Sequence, residues 1–375
     1  MKIGIDTFAC EGGKTAIGVY VTQLLRRIPP SGALFELFGW DFERFAYSEA
    51  APDLEFVPRC RITGKTANIL WHLLKYPQFA RDRGYDACFF PSAHRRLPYT
   101  SPCPVIGAVH DMGWITKKAD EPLDILRRPA LAASLRRLDR IIAVSNWIKQ
   151  ELVALAGVKE SLIEVVPNGI DHTAFYPRPR NEESVVLIQP FSFRRPYVLC
   201  ISRIEHPVKN HVRLIQAFSI FKEQTKYPHR LVLAGADDYQ AEKVKESAQM
   251  SPYKNDIFFT GHFPIKNLPE LYAGADIVVV PSLYEGFGMG ALEAMASGVP
   301  VACSRAASLP ETADTAALYF DPYNPEDIAA RMITLSTNRD VYRECRRLGL
   351  ERAAAFSWDA CAKQTLAIIQ ETIGK

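Results

Sequence analysis

The chain has 375 residues, 48% of them apolar and 23% charged, with 45 Lys and Arg against 42 Asp and Glu for a net charge of +3. That length points to two domains of ordinary size, each able to bury a core, and the composition is that of a soluble globular protein. No segment approaches the ~18 uninterrupted apolar residues of a membrane-spanning helix, and no nucleic-acid-binding motif is present.

The N-terminus, MKIGIDTF, is a short strand pattern and not a charged, then apolar, then small-residue signal, so the expected location is the cytosol. Strand-like runs follow in order: KIGID (2–6), ACFF (87–90), VIGAV (105–109), IIAV (141–144) and IEVV (163–166), then YVLCI (197–201), RLVLAG (230–235), DIFFT (256–260), DIVVV (276–280) and VPVAC (299–303). Amphipathic stretches such as 212–222 and 267–275 lie between them, so each half reads strand, helix, strand. The expectation is two doubly wound parallel sheets, joined by the Pro- and Asn-rich stretch at 167–183 and facing a ligand cleft at the carboxyl ends of their strands. The eight cysteines are scattered, with no CxxC or His-paired spacing, and read as reduced buried thiols and not as a zinc site.

The stretch YEGFGMGALEAMASG (284–298) follows the DIVVV run. It predicts a tight glycine turn at a strand's carboxyl end, then a short helix stopped by Gly298 and Pro300. Glu285 falls in the turn and Glu293 inside the helix. Gly286 and Gly288 let backbone pass close to a ligand, and the amides of Gly288, Met289 and Gly290 open the helix, an arrangement suited to phosphate. The carboxylates on either side can accept hydroxyl hydrogen bonds from sugar and ribose. A glycine turn with one solvated Glu and one helix-surface Glu is the competing reading of that stretch by itself. Arg203 and Lys209, after the first strand of the second half, could neutralise a diphosphate at that helix start; alone they read as surface charge. Asp237 and Asp238, after the next strand, read as caps or solvent-facing acids and not as metal ligands.

Taken together these residues resemble retaining glycosyltransferase family 4, of GT-B fold and mannosyltransferase-like in overall pattern. Its E-x7-E motif stands here as Glu285, GFGMGAL and Glu293. The likeness extends to GGKTAIGVY (12–20), His110–Asp111, AVSNWIKQEL (143–152), VPNGID (166–171), GHF (261–263) and FSWDACAKQT (356–365). The resemblance implies that Arg203 and Lys209 hold the donor diphosphate and stabilise the leaving nucleotide, and that the amides around Phe287 to Met289 bind its phosphate oxygens. It implies that Glu293 accepts from ribose, that Glu285 accepts from the transferred sugar, and that Gly261, His262 and Phe263 line the base. In the first half, it gives Gly18 the role of letting the N-terminal loop approach the diphosphate. His110 would contact the sugar near its reacting carbon, with Asp111 orienting that loop. Two departures stand out: Ser202 precedes Arg203 where the family often has Gly, and an extra residue around 206–208 lengthens the Arg-to-Lys spacing.

The implied reaction retains anomeric configuration and needs no metal or cofactor besides the nucleotide-sugar donor, GDP-mannose first and a UDP-hexose second. A glycosidase-like carboxylate pair fits poorly, because the two glutamates flank a phosphate-binding helix start. A non-enzymatic sugar-binding protein predicts an export signal and gives no reason for paired cations, and a nicotinamide fingerprint would sit after an early strand.

The implied domains are residues 1–172 for the acceptor, 173–355 for the donor, and a C-terminal helix at 356–375 crossing back. Residues 1–170 hold 22 basic against 18 acidic residues, and 59–83 carry six Lys or Arg against Asp82 alone, among Trp71, Leu73, Leu74 and Tyr76. This reads either as a surface resting on anionic lipid to reach a lipid-linked saccharide, at the inner face of a membrane, or as an ordinary helix with its apolar stripe turned inward.

Overall fold

The computed structural model describes residues 1–8, 10, 15–28, 33–41, 44–50, 54–59, 70–116, 122–179, 185–188 and 191–374. It divides into two compact units, Met1–Gly169 with Trp358–Lys375, and Ile170–Ser357. The stretch at 167–183 contains that division, and its last residues, 180–183, lie outside the described ones.

The first unit is built on a seven-stranded sheet: β1 (Lys2–Asp6), β2 (Leu34–Trp40), β3 (Glu55–Arg59), β4 (Ala87–Phe90), β5 (Val105–Val109), β6 (Arg140–Ala143) and β7 (Ile163–Val165). Their order is β3-β2-β1-β4-β5-β6-β7, and every pairing is parallel. β4 and β5 are buried along their whole length, as continuous apolar runs in a sheet covered on both faces should be. Strands β2 and β3 were not among the sequence expectations. In β2 the apolar run is broken by Glu36, whose carboxylate is fully buried and held by Lys2 Nζ at 2.9 Å together with Arg83 and Tyr85. Burial would raise its pKa, but the hydrogen bonds from Arg83, Tyr85 and Lys2 hold it below the usual carboxylate value.

The C-terminal helix Trp358–Ile373 belongs to this first unit. Trp358 meets Tyr20 edge-on at 6.1 Å, Arg27 Nε donates to Asp359 at 2.6 Å, and a small apolar cavity is lined by Val21, Leu24, Leu25, Leu366 and Ile369. The helix therefore closes one face of the first sheet although the chain reaches it last.

The second unit carries β10 (Tyr197–Ile201), β11 (Arg230–Ala234), β12 (Ile257–Phe259), β13 (Ile277–Val280), β14 (Val301–Ser304) and β15 (Ala317–Phe320), in the order β12-β11-β10-β13-β14-β15 and all parallel. A separate antiparallel hairpin, β8 (Val185–Ile188) with β9 (Phe191–Arg194), precedes it. One face of the sheet packs Val198, Leu231, Leu233 and Val279 against Leu214, Phe218 and Phe221 from the helix His211–Thr225, all under 2% exposed. Both sheets reverse their winding once, between β1 and β4 and between β10 and β13, and a doubly wound sheet binds ligands beyond the strand carboxyl ends at such a reversal.

Candidate active site

Arg203 follows β10 and Glu285 follows β13, so both stand at the reversal of the second sheet. The loops that carry them are tied to the sheet and to each other. Ser202 N and Ile204 N bond to Ala234 O and Ala236 O at 3.0 and 2.8 Å, and Leu283 N bonds to Val208 O at 2.8 Å. Asn210 Nδ2 reaches Pro281 O at 3.0 Å and Pro322 O at 2.7 Å. Gly235 is obligatory here, because at its φ of +152° a Cβ would lie 2.0 Å from Ser202 O. Ser202, the departure from family pattern, shares a hydrogen bond with His211 Nε2 at 3.0 Å and so anchors the residue before Arg203 to the following helix. Burial lowers the His211 pKa to about 4, which leaves that imidazole neutral.

Lys209 and Glu285 meet directly: Nζ lies 2.6 Å from Oε1, which also accepts from Ser282 Oγ at 2.7 Å. The longer Arg-to-Lys spacing thus still delivers the ammonium to the glycine turn. Arg203 is 61% exposed and lies between Asp238, at 2.5 Å, and Glu205, at 3.3 Å. Asp237 pairs with Lys245. Both acids are exposed, as the sequence reading had them, and each is also an ion-pair partner, Asp238 of Arg203 beside the site. Among the described residues, no group of three or more His, Cys, Asp or Glu stands together in a metal-ligating cluster.

The helix after the turn runs Met289–Ala296. Gly288 caps its start at φ +93°, where a Cβ would press on Leu309 Cδ2 at 3.0 Å. The first helical bonds run from Ala291 N and Leu292 N to Gly288 O at 3.1 and 3.4 Å, so the amides before Ala291 point out of the helix start. The turn itself is fastened from below: Ser308 Oγ donates to Glu285 O at 2.8 Å, and Thr312 Oγ1 to Phe287 O. Gly286 and Phe287 are buried, and Met289 is half-buried.

Glu293 lies one turn further along. Burial raises its pKa to about 7, against a hydrogen bond from the Tyr272 hydroxyl that lowers it. Tyr272 comes from the neighbouring helix Leu268–Gly274 and is 1% exposed; its hydroxyl lies 3.2 Å from where a Cβ on Gly290 would stand. Sequence reasoning missed Tyr272, because no spacing links position 272 to 293. Past β12, Gly261 has φ +62° and bridges to Gly235, His262 is exposed and Phe263 is half-buried. These three stand at the carboxyl edge of the same sheet, with two strands, β11 and β10, between them and the strand that leads to Glu285.

His110 and Gly18 lie in the first unit. His110 follows β5 directly; its Nε2 donates to Pro91 O at 3.0 Å, and its ring meets Tyr20 at 4.6 Å and His94 at 5.9 Å. Burial lowers its pKa to about 4, so the imidazole is neutral and offers Nδ1 as an acceptor. Asp111 Oδ1 accepts from Gly113 N at 2.5 Å and pins the loop. The stretch 12–20 is not one loop: residues 12–14 lie outside the described ones, and Gly18 is the third residue of the helix Ala16–Leu25, its N bonded to the capping Thr15 Oγ1 at 3.4 Å. Thr15 is an N-cap residue followed by an apolar run, and that combination starts a helix where the family resemblance implied a loop.

Residues 188–352 match the family model described as glycosyl transferases group 1, and residues 17–174 match the model described as Glycosyltransferase Family 4. An O-antigen chain mannosyltransferase B of Escherichia coli is 31% identical over 261 residues, 68% of either chain. The chain belongs to glycosyltransferase family 4. A second relative of this family 4 member is a mannosylfructose-phosphate synthase of Agrobacterium fabrum, 28% identical over 63% of this chain and 53% of its own, so the chain spans about half that relative's length. Among solved structures, a sucrose-phosphate synthase from Thermosynechococcus elongatus superposes with a TM-score of 0.76 at 19% identity, covering 100% of this chain and 99% of the other. The Anabaena protein HepE in complex with UDP and glucose gives 0.74 at 19% identity over 99% of each chain. These likenesses, with two parallel Rossmann-like sheets, establish the GT-B α/β fold of the family 4 chain.

Proposed function

We propose that this family 4 chain is a retaining glycosyltransferase that moves mannose from GDP-mannose to a saccharide acceptor in the assembly of a cell-surface polysaccharide or lipopolysaccharide. One observation carries the reading: a single sheet edge in the second unit gathers Arg203, the Lys209–Glu285 pair, the helix start at Gly288 to Gly290, and Glu293. Breaking the anomeric bond leaves an oxocarbenium-like sugar and adds negative charge to the nucleoside diphosphate, so fixed positive groups aimed at that diphosphate contribute most. In this reading Arg203, Lys209 and the amides from Phe287 to Met289 take the diphosphate, and Glu293 the ribose hydroxyls. Gly261, His262 and Phe263 border the base, and no metal is needed. Exchange of its Lys209 partner for a phosphate would free Glu285 to accept from the sugar. The acceptor hydroxyl attacks on the face that the nucleotide leaves, and the departing phosphate takes its proton.

The first unit is the acceptor domain in this proposal. Neutral His110 offers a sugar a hydrogen-bond acceptor and brings no positive charge of its own. Exposed Leu70, Leu73 and Leu74 beside Lys75 support a peripheral contact with an anionic membrane surface on its cytosolic face, from which a lipid-linked acceptor would be reached. Mannose is supported by the names of the sequence relatives. A UDP-hexose donor is the second reading, supported by the UDP and glucose bound to the Anabaena structural neighbour.

Thermal stabilisation by a panel of nucleotides and nucleotide sugars, without added metal, tests the donor. A ligand at a hundred times its Kd adds about 2.7 kcal/mol. A shift with GDP and GDP-mannose that Arg203→Ala and Glu293→Ala remove is the expected result. A shift with UDP compounds alone discards mannose, and no shift with any nucleotide discards the glycosyltransferase reading. Donor turnover without transfer to a saccharide would point to an epimerase or phosphorylase.

A further inference from the structure

Away from the sheet edge that holds the donor residues, two thiols of the first unit stand together. Cys88 is the second residue of β4 and wholly buried, whereas Cys103, two residues before β5, is partly accessible. Their sulfurs are 3.8 Å apart. Ser101 Oγ lies 3.7 Å from Cys103 Sγ, accepts from Cys103 N at 3.4 Å, and is linked in turn to the Tyr76 hydroxyl at 3.3 Å. Cys103 forms part of the wall of an open surface bowl of about 460 Å³, with Tyr99, Ser134, Arg137 and Asp139 around it. The Arg137 guanidinium stacks 4.0 Å from the Tyr99 ring centre at its mouth.

We propose that Cys103 and Cys88 form an oxidisable dithiol that takes a hydroperoxide, with Cys103 as the attacking and Cys88 as the resolving sulfur. The Cys103 thiolate attacks one peroxide oxygen, the O–O bond breaks and hydroxide or alkoxide leaves, giving a sulfenic acid on Cys103. The Cys88 sulfur then attacks the Cys103 sulfur, its proton and the sulfenic hydroxyl depart as water, and an S–S bond forms. The two thiols lose two electrons and the peroxide gains them. Closing the pair requires the sulfurs to approach from 3.8 Å to the disulfide length of about 2.05 Å. Cys103 lies ahead of Val105, the β5 residue that pairs with Cys88, so the approach need not disturb that register.

The division of labour agrees with the two environments. The hydrogen bond between the two sulfurs brings the Cys103 pKa down to about 7, whereas burial pushes Cys88 well up. The other described cysteines, Cys10, Cys200, Cys303, Cys345 and Cys361, are buried and in no disulfide.

The test is brief exposure of the folded protein to an equivalent of hydrogen peroxide at neutral pH, followed by a non-reducing peptide map. The expected result is one Cys88–Cys103 cross-linked peptide with a loss of about 2 Da. With Cys88→Ser, a dimedone adduct should instead appear on Cys103, and Cys103→Ser should show neither product. Both variants must keep the wild-type circular dichroism, and both substitutions are nearly isosteric. Oxidation that spares Cys103, or that takes it to the sulfinic acid without joining Cys88, overturns the proposal.

Discussion

The carboxyl edges of the two sheets are wound alike and furnished differently. At the second sheet the cations are already matched with carboxylates, Arg203 with Asp238 and Glu205, and Lys209 with Glu285. At the first, His110 is held neutral among Tyr20, His94 and the Pro91 carbonyl. The contrast teaches that an edge proposed to receive a diphosphate keeps its positive charge in exchangeable pairs, most readily at Arg203–Asp238, since an exposed ion pair is worth only about 0–1 kcal/mol and yields to a stronger anion. The neutral edge holds an imidazole that burial keeps uncharged.

The largest effect should come from removing the cations of the charged edge. Arg203→Ala and Lys209→Ala are each expected to lower kcat by about a hundredfold or more, measured as sugar transfer at saturating donor. A loss confined to KM would mean that these groups bind donor without stabilising its departure, which breaks the comparison. Glu293→Gln comes next: losing a charged hydrogen-bond acceptor costs about 2 kcal/mol, roughly thirtyfold in donor affinity. Because burial raises the Glu293 pKa to about 7, the wild-type affinity should climb as pH rises through that value, and the Gln variant should lack the climb. The same shift acts oppositely on stability. The folded protein holds this proton above the unfolded carboxyl's range, so ionisation of Glu293 destabilises the fold as pH rises toward 7.

Asp238→Ala should have a smaller and opposite effect, tightening donor binding by up to about fivefold, because Arg203 would then have only Glu205 to exchange for the diphosphate. Weaker binding, read by calorimetry, would show that Asp238 positions the guanidinium and does not merely occupy it. The smallest effect belongs to the neutral edge. With the His110 pKa near 4, kcat/KM should show no His110-dependent inflection between about pH 5 and 8. A histidine lowered in this way contributes stability that is present above the unfolded value and lost as pH falls from about 6.5 toward 4.

How much of this was legible follows from range. The apolar runs at 2–6, 105–109 and 197–201 fall on β1, β5 and β10 because a strand buried on both faces writes its own signature. β2 escaped because Glu36 interrupts it, and the partners that make that carboxylate tolerable, Lys2, Arg83 and Tyr85, are remote in sequence. Gly18 was carried into a loop by the family resemblance, whereas the capping Thr15 starts a helix before it.

By itself the sequence determined the doubly wound alternation, the glycine turn with its helix, and the placing of Arg203, Lys209, Glu285 and Glu293 beside strand ends, since all are local patterns within a few residues. Only the tertiary structure decided that Asp238 holds Arg203, that Lys209 meets Glu285 across 76 residues, that Tyr272 bonds to Glu293, and that Cys103 lies against Cys88. Those pairings depend on which strands become neighbours, and strand order is set by packing across the whole sheet.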